Sequence, residues 1–230
     1  MDISIVIPTY NESENLPILI DRIVKVLEQS GIEGQIIVVD DDSPDKTWEI
    51  ANDLNKTYGN IEVVRRQGKR GLSSAVLDGF TESGSPILGV MDADLSHPPE
   101  KIPELVEPIL NREADITIGS RYINSGEIEQ WPLMRKLSSK LATLAACKLT
   151  SVKDPMSGFF FLRREVIENI ELNPKGFKIG LEILVRGKYG NVIEVPIKFR
   201  DRIYGETKLS QKVIIDYLIH VTRLYIYKIF

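Results

Sequence analysis

The chain has 230 residues, 43% of them hydrophobic and 27% charged, a composition typical of an ordinary folded protein that excludes wholesale disorder. Its 33 acidic side chains outnumber 29 basic ones, and the net charge of -4 disfavours a nucleic-acid binder, which usually carries a basic footprint. A single cysteine and two histidines exclude a disulfide framework and a His/Cys zinc site. The length fits one large α/β domain better than two independent ones.

The two ends of the sequence indicate where the protein works. The amino-terminal run MDISIVIPTYNE has no basic region, long apolar core or small-residue cleavage site, so we expect no secretory signal. The most apolar segment near the other end, residues 213–230, is interrupted by charged residues, whereas a spanning helix needs about 20 predominantly apolar residues. Together with the single cysteine, these features predict a reducing, cytoplasmic setting in which any membrane contact is peripheral.

Short β-branched runs recur through the first half of the chain, at residues 3–7, 36–39, 61–64, 87–91 and 116–118. Continuous apolar runs of this kind are typical of strands buried on both faces, and helical patterns lie between most of them. The sequence thus predicts an α/β fold with an open, doubly wound, mostly parallel sheet. Ligands bind such sheets outside the carboxyl ends of the strands. Four of these ends are polar, and we expect them to converge on one acidic site.

The strict alternation of strands and helices ends after Arg121. The remaining sequence predicts a helix over about 132–149, an aromatic run at 158–162, a helix at 178–188, a strand near 192–199 and a terminal helix from about Ser210. We interpret this half of the chain as an elaboration on the acceptor side of the site.

Asp92 and Asp94 follow the fourth predicted strand. Alternate residues of an extended backbone project to the same side, so both carboxylates can face one ligand. Two adjacent carboxylates repel each other and therefore call for a cation, and Mg2+ or Mn2+ suits oxygen ligands. In the alternative interpretation Asp94 simply begins the following turn, but the position at a strand end favours the metal site.

The acidic run after the second predicted strand has two interpretations. Asp42 or Ser43, followed by Pro44, fits the N-cap of a helix with proline in its first turn, and we favour that structural role. Capping leaves Asp41 unexplained. An acidic side chain at this place in a nucleotide-binding sheet can accept hydrogen bonds from a ribose or a base, which is the functional interpretation of Asp41.

The polar residues after the first predicted strand divide in the same way. Asn11 or Ser13 can cap the first helix, while Tyr10 and Glu12 are left to line a pocket. The structural and functional interpretations are about equally favoured here.

Seven motifs occur in order along the chain: PTYNESENL, VVDDDSPDKT, GLSSAVLDGF, MDADLSHPPE, GSRY, DPMSGFFFLRREV and GETKL. Together they resemble the polyprenyl-phosphate mannosyltransferases, the family of the dolichol-phosphate mannose synthases within the inverting family 2 glycosyltransferases. The resemblance covers residues from Ile3 to about Leu218. It implies a GT-A fold, GDP-mannose as donor, dolichyl or another polyprenyl phosphate as acceptor, and Mg2+ or Mn2+ as cofactor. This chain is similar to family members without carboxyl-terminal transmembrane helices.

The resemblance also assigns site residues. Those that would hold the nucleotide are Pro8, Tyr10, Glu12, Val39, Asp41 and Ala93, and those that would hold the metal are Asp92 and Asp94. Basic residues that match positions around the diphosphate and the acceptor phosphate are Arg121, Lys178, Arg202 and Lys208. Ser96 is a third candidate metal ligand. Some relatives have Gln there, and the shorter reach of Ser96 favours contact through a water.

The acceptor chemistry implied by the resemblance needs no general base, because a phosphate monoester with a second pKa of about 6 is largely ionised at pH 7. The site must instead position the substrates, stabilise the leaving diphosphate and supply cations. Direct attack on the anomeric carbon would turn an α-linked donor into a β-linked product. Asp154 either orients acceptor or sugar or belongs to a turn before the aromatic run.

The segment 131–153 combines leucines at helical spacing with charged residues that are all basic. An apolar stripe with cationic flanks suits an interfacial helix on anionic lipid. The alternative is an ordinary amphipathic helix packed on the sheet, but a lipid acceptor favours the interface. Arg135, one helical turn after Trp131, is predicted to steer the acceptor phosphate.

These expectations combine into a single GT-A-like catalytic domain at 1–230, with a nucleotide-sugar and metal half at 1–120 and an acceptor and membrane-facing half at 121–230. Its expected place is the cytoplasmic face of a membrane, with the membrane surface and a small membrane-anchoring protein as partners and no nucleic acid. One alternative is a polyprenyl-phosphate glucosyltransferase that uses UDP-glucose. A nucleotidyltransferase is disfavoured because no Gly-rich basic loop follows the first strand, and a catalytically silent subunit is disfavoured by the intact acidic and basic residues.

Overall fold

The computed structural model describes residues 1–124, 126–128, 143–146, 148–173, 176, 178–200 and 211–229. Its strands are β1 (Ile3–Thr9), β2 (Gly34–Asp40), β3 (Ile61–Arg65), β4 (Ile87–Val90), β5 (Ile116–Ser120), β6 (Glu127–Ile128), β7 (Phe160–Arg163), β8 (Val192–Pro196) and β9 (Lys198–Phe199). Its α-helices are α1 (Asn15–Ser30), α2 (Thr47–Tyr58), α3 (Leu72–Glu82), α4 (Ile102–Leu110), α5 (Ile179–Arg186) and α6 (Gln211–Ile229). The predictions for Arg135, Arg202 and Lys208 lie outside the described residues.

Within this part of the chain, seven strands form one sheet in the order β3-β2-β1-β4-β7-β5-β8. The five strands predicted in the first half are all present, and β1 pairs in parallel with both β2 and β4. Strands from residues 1–120 and from residues 121–230 share this sheet. The carboxyl ends of β1, β2 and β4 are therefore neighbours at one edge.

The aromatic run forms β7, which is antiparallel to both of its neighbours, β4 and β5. Close packing fixes its place, because Gly89 of β4 lies under the ring of Phe161, and a Cβ at Gly89 would come within 2.3 Å of that ring. Since β7 runs in the opposite direction, its amino-terminal end lies beside the carboxyl ends of β4 and β5. The turn that precedes β7 is thereby brought to the acidic edge of the sheet.

The sheet is buried on both faces. Ile5 and Ile7 of β1 belong to one apolar cluster, which contains the buried side of α1, whereas Val6 belongs to a second cluster with α3 and α5. Fully burying one aliphatic side chain stabilises the fold by roughly 1.5 to 3 kcal/mol, so this double burial accounts for the continuous apolar character of the strands.

The predicted N-cap of the second helix is wrong. α2 begins at Thr47, and neither Asp42 nor Ser43 caps it. The Ser43 hydroxyl instead donates to Asp40 Oδ2 at 2.6 Å, so it is engaged before the helix begins. Asp45 satisfies the first turn, because its Oδ1 accepts hydrogen bonds from the Thr47 backbone N–H at 3.1 Å and from the Thr47 hydroxyl at 2.6 Å.

The predicted cap of the first helix is also wrong, since α1 begins at Asn15 and the residue before it makes no capping hydrogen bond through its side chain. The candidates Asn11 and Ser13 bind the neighbouring loop through their backbones. Asn11 N–H donates to Ser43 Oγ at 3.0 Å, and Ser13 N–H donates to Asp45 Oδ2 at 3.1 Å. The loops after β1 and β2 are therefore held together.

The second half contains the predicted helices at α5 and α6, but the predicted strand at 192–199 is divided. β8 joins the main sheet beside β5, while β9 pairs with β6 in a separate two-stranded sheet. Of the helix predicted over 132–149, residues 143–146 are described, and they are helical. A third apolar cluster, with Ala146, Leu181 and Leu224 among its members, packs α5 against α6. No helix in the described ranges combines the length and the hydropathy that crossing a bilayer requires.

Candidate active site

The loops after β1 and β2 are built around Asp40, which is fully buried. Its Oδ2 accepts a hydrogen bond from the Thr9 hydroxyl at 2.8 Å, and its Oδ1 accepts one from the Ser43 backbone N–H at 2.8 Å. Hydrogen bonds of this kind offset the cost of burying the carboxylate. Asp40 therefore has the structural role of shaping the edge of the sheet.

Asp41, the predicted ribose or base ligand, lies beside Arg66, and both side chains are buried. Asp41 Oδ1 accepts a hydrogen bond from Arg66 Nε at 2.7 Å, and Asp41 Oδ2 accepts one from the Gly71 backbone N–H at 2.8 Å. Sequence reasoning missed Arg66, for which the signal was an arginine directly after β3. Nucleotide binding by Asp41 stays a prediction, and any such contact must be made alongside Arg66.

The other predicted nucleotide residues gather at the same edge. Pro8 and Val39 are partners in the register of β1 and β2. The Arg70 guanidinium lies 4.6 Å from the centre of the Tyr10 ring, a cation–π contact. Glu12 Oε2 accepts a hydrogen bond from the side-chain amide of Asn15 at 2.7 Å.

The two candidate metal ligands differ in exposure. The side chain of Asp92 is 32% exposed, whereas Asp94 is buried. Asp94 Oδ1 accepts hydrogen bonds from the Ser96 backbone N–H at 3.1 Å and from the Ser96 hydroxyl at 2.5 Å. The predicted ligand Ser96 thus contacts Asp94 directly, and its own contact with a metal stays a prediction. Ala93 between the two carboxylates is buried in the core, so only its backbone is placed for a ligand.

The carboxylate pair fits a divalent metal that shares its ligands with a substrate. Among the described residues, no group of three or more His, Cys, Asp or Glu side chains could hold a metal by itself. Mg2+ commonly binds through one or two carboxylates together with substrate phosphates and water. Asp92 and Asp94 supply that number of carboxylates, at the edge of the sheet where the predicted nucleotide residues lie.

His97 directly follows Ser96, and the sequence analysis assigned it no role. Its ring is buried, stacks on Phe159 at 5.4 Å and meets the edge of Phe199 at 5.3 Å. His97 Nδ1 lies 3.9 Å from Asp92 Oδ2. Burial lowers the pKa of His97 to about 4, against the opposing charge of Asp94, so the imidazole is neutral at pH 7. Its position directly after the predicted metal turn was the available signal.

Arg121 and Asp154 form a bidentate ion pair. Arg121 Nε and Nη2 donate to the two carboxylate oxygens of Asp154 at 2.7 Å each, and the Arg121 backbone N–H donates at 2.9 Å. Asp154 is fully buried. Burial by itself would lower the pKa of Arg121, but the hydrogen bonds and charge of Asp154 reverse this and raise it. Of the two interpretations of Asp154, the turn before the aromatic run is confirmed, because the Ser157 backbone N–H donates to the Asp154 carbonyl oxygen at 3.3 Å. Contact with acceptor or sugar stays a prediction, and the carboxylate itself holds Arg121.

Lys178 lies just before α5, and its charge interacts with those of Arg121, Asp92 and Asp154. Its Nζ donates to the carbonyl oxygen of Met156 at 3.3 Å. Burial and the charge of Arg121 lower the pKa of Lys178, while Asp92 and Asp154 act in the opposite direction. Two predicted cations, Arg121 and Lys178, are thus placed near the predicted metal ligand Asp92.

This geometry can hold an anionic ligand between an acidic edge and a basic one. The acidic edge suits a cation-bridged diphosphate, and the buried Arg121 with the half-buried Lys178 suits a second phosphate that approaches it.

The sequence model of the family described as Glycosyl transferase family 2 matches residues 4–171 of the chain. The chain belongs to glycosyl transferase family 2. This finding confirms the family suggested by the seven motifs.

The chain is 53% identical over 228 residues to a dolichol-phosphate mannosyltransferase of Pyrococcus furiosus, and the match covers 97% of this chain and 64% of that protein. It is 39% identical over 238 residues to a dolichol-phosphate mannosyltransferase of Saccharomyces cerevisiae, covering 99% of this chain and 88% of that protein. The chain therefore spans less than two thirds of the Pyrococcus relative's length.

Solved structures of glycosyltransferases confirm the GT-A-like fold. A glucosyl-3-phosphoglycerate synthase from Mycobacterium tuberculosis, solved with Mn2+, UDP and glucosyl-3-phosphoglycerate, aligns with a TM-score of 0.66. The alignment covers 98% of this chain and 79% of the synthase at 19% sequence identity. At that identity the likeness concerns the fold of this family 2 member and not its substrates.

Proposed function

We propose that this family 2 glycosyltransferase transfers mannose from GDP-mannose to dolichyl phosphate or another polyprenyl phosphate, giving dolichyl phosphate mannose or its polyprenyl counterpart. The observation that carries the proposal is the juxtaposition of two charge types at one edge of the sheet. The carboxylates of Asp92 and Asp94 follow the end of β4. The charges of Arg121 and Lys178 both interact with the charge of Asp92. The names of the relatives at 53% and 39% identity support mannose and dolichyl phosphate as the substrates.

On the donor side, Pro8, Tyr10, Glu12, Val39 and Asp41 would hold the nucleotide along β1 and β2. Asp92 and Asp94 would hold Mg2+ or Mn2+, with Ser96 orienting Asp94 through its 2.5 Å hydrogen bond. The bound metal would neutralise charge on the departing diphosphate. The buried ring of His97 packs on Phe159 and Phe199 beside Asp92.

On the acceptor side, the nucleophile is a phosphate oxygen that is already ionised at pH 7, since its second pKa is about 6. The residues therefore need to position this oxygen and offset its repulsion from the diphosphate. Arg121 is suited to that role because Asp154 fixes its guanidinium with two hydrogen bonds. Lys178 supplies the second charge. Direct attack at the anomeric carbon would invert its configuration and give a β-linked product.

A membrane surface is the place where such a lipid acceptor would be met. Five exposed aliphatic residues follow one face of α6 at helical spacing, namely Ile215, Leu218, Ile219, Ile226 and Ile229. Leu144, which is also exposed, precedes the segment that packs on α6. We propose that this α6 face lies on the cytoplasmic surface of the membrane together with segment 131–153, with a small membrane-anchoring protein as a further partner.

Donor choice tests the proposal against the UDP-glucose alternative. Purified protein is incubated with Mn2+, a short polyprenyl phosphate and either GDP-mannose or UDP-glucose, and the lipid product is identified by mass spectrometry. A mannosyl phosphate lipid formed from GDP-mannose alone is the expected result. A glucosyl product, with no product from GDP-mannose, would replace the proposed donor with UDP-glucose.

A further inference from the structure

A buried polar cluster lies between α5 and α6, outside the residues considered so far. Glu182 is 1% exposed and His220 is 2% exposed, and His220 Nδ1 lies 3.8 Å from Glu182 Oε2. Arg186 Nε lies 3.2 Å from Glu182 Oε1. Removing a carboxylate and an imidazole from water is unfavourable unless both meet polar partners, so the contacts of this pair indicate what it does.

Both members of the pair bind the backbone of the segment that leads into α5. Glu182 Oε1 accepts a hydrogen bond from the Asn173 backbone N–H at 2.8 Å. His220 makes a hydrogen bond with the backbone of Lys178. The Glu182 backbone N–H adds a bond to the Lys178 carbonyl oxygen at 3.4 Å. The chain is thus held at residue 173 and at residue 178.

Lys178 needs such support because its surroundings do not favour a cation. Burial and Arg121 both act against its charged form. A long, flexible side chain would relax toward solvent in this position unless its backbone were fixed. The Lys178 Nζ donates to the Met156 carbonyl oxygen at 3.3 Å, a contact that depends on where the backbone of residue 178 is held.

We propose that Glu182 and His220 are positioning residues that fix Lys178 in the transfer site without touching either substrate. The inference rests on the proposed function for the role of Lys178. It also gives α6 a part in the site, because His220 connects that helix to the backbone of Lys178.

The charge states of the pair suit a fixed support. Burial, together with the charges of Arg186 and Arg223, lowers the pKa of His220 to about 4, so the imidazole is neutral at pH 7. Burial raises the pKa of Glu182, opposed by the Asn173 N–H and then by the charges of the two arginines. His220 therefore does not titrate near neutral pH, and its part of the support is expected to be constant there.

Four variants separate positioning from simple loss of stability. Glu182→Leu removes the acceptor for Asn173 and leaves Arg186 without its counter-charge, so a loss of stability is expected besides any effect on Lys178. Glu182→Gln keeps an acceptor oxygen and is the rescue variant. His220→Leu removes the bond to Lys178. Leu224→Ala is the matched control, because it weakens α6 packing without touching residues 173 or 178.

Two readouts are measured on each variant: kcat/KM for mannosyl transfer and the rate of reductive methylation of Lys178, followed by mass spectrometry. We expect Glu182→Leu and His220→Leu to lower kcat/KM by roughly tenfold, as small misplacements at reacting centres do, and to speed Lys178 labelling severalfold. Glu182→Gln should stay near wild type in both readouts. Leu224→Ala should lower the melting temperature but change neither readout. In a Lys178→Gln background, Glu182→Leu should cause no further loss of transfer.

The proposal is overturned if Lys178 labelling in the two leucine variants matches the wild type, or if Glu182→Leu lowers transfer as much in the Lys178→Gln background as in the wild type. The labelling experiment needs no substrate. A wild-type protein that transfers no mannose, while the leucine variants still label faster at Lys178, would contradict the proposed function and leave the positioning role supported.

Discussion

Gly158 lies directly against the carboxylate of Asp92: a Cβ built at position 158 would lie 2.6 Å from Asp92 Oδ2. The contact joins the turn before β7 to the end of β4, so the absence of a side chain at residue 158 makes room for the candidate metal ligand. Real Cβ atoms essentially never approach a heavy atom so closely, and a substitution there must move Asp92.

Gly158→Ala is therefore expected to displace the Asp92 carboxylate and to weaken Mn2+-dependent GDP binding by roughly tenfold, about 1.4 kcal/mol of binding free energy, because a displaced carboxylate holds the cation less well. Calorimetry with GDP and Mn2+ measures the effect. Gly84→Ala is the control, since a Cβ at Gly84 would meet no atom within 4 Å. Equal affinities in the two variants would show that the close approach has no part in donor binding.

The ion pair between Arg121 and Asp154 predicts a large loss of stability when one partner is neutralised. Asp154→Asn leaves a buried guanidinium without its counter-charge and should cost about 3 to 5 kcal/mol of unfolding free energy. Urea denaturation measures this change. Asp53→Asn breaks an exposed pair with Lys56 and should leave the unfolding free energy nearly unchanged. If both variants unfold at the same urea concentration, the buried pair contributes no more than a surface one.

The low pKa of His220 predicts how stability depends on pH. Because burial lowers the pKa to about 4 in the folded protein, from 6.5, the unfolded chain binds a proton more readily at intermediate pH. His220 thus favours folding fully above pH 6.5, and this contribution is lost as the pH falls from 6.5 to about 4.

The slope of stability against pH in that window should be shallower in His220→Gln than in the wild type, by roughly 1 kcal/mol per pH unit. Chemical denaturation at pH 7 and at intervals down to pH 4.5 measures it. Identical slopes in the two proteins would mean that His220 titrates normally in the folded state.

The exposed face of α6 predicts reversible membrane binding. Replacing both Ile215 and Ile226 with Ser should reduce flotation with liposomes that contain anionic lipid, because it removes apolar area from the contact. Transfer to a water-soluble short-chain acceptor should be unaffected. The control replaces Ile18 and Leu110, which are exposed elsewhere on the molecule. Reduced flotation in the control alone would place the membrane contact away from α6.

The sequence predicted those parts of the fold that depend on local pattern. The apolar runs of β1 to β5 are continuous in the chain, so the hydrophobic pattern sufficed to find these strands. Asp92 and Asp94 follow the end of β4, so their position sufficed to single them out as candidates. The N-cap predicted for α2 was wrong because Ser43 is engaged by Asp40 from within its own loop, a competition that spacing does not reveal.

Contacts between distant residues were beyond sequence reasoning. The antiparallel insertion of β7 depends on Phe161 fitting over Gly89, which are 72 positions apart by their residue numbers. The pairs of Asp41 with Arg66 and of Arg121 with Asp154 likewise form only when separate loops meet. The sequence thus identified many candidate charged side chains but not which of them neutralise one another.

Transfer of radiolabelled mannose from GDP-mannose to a short polyprenyl phosphate, in the presence of Mn2+, tests the central claim most directly. The purified wild-type protein should move label into organic-extractable material, chelation of the metal should stop the reaction, and Asp92→Asn should lower the rate by at least roughly a hundredfold because the carboxylate charge on the cation is lost. The same protein should release no label into that material when the phosphate acceptor is replaced by the corresponding polyprenol. Folded, GDP-binding wild-type protein that leaves all label in the aqueous phase would contradict the account.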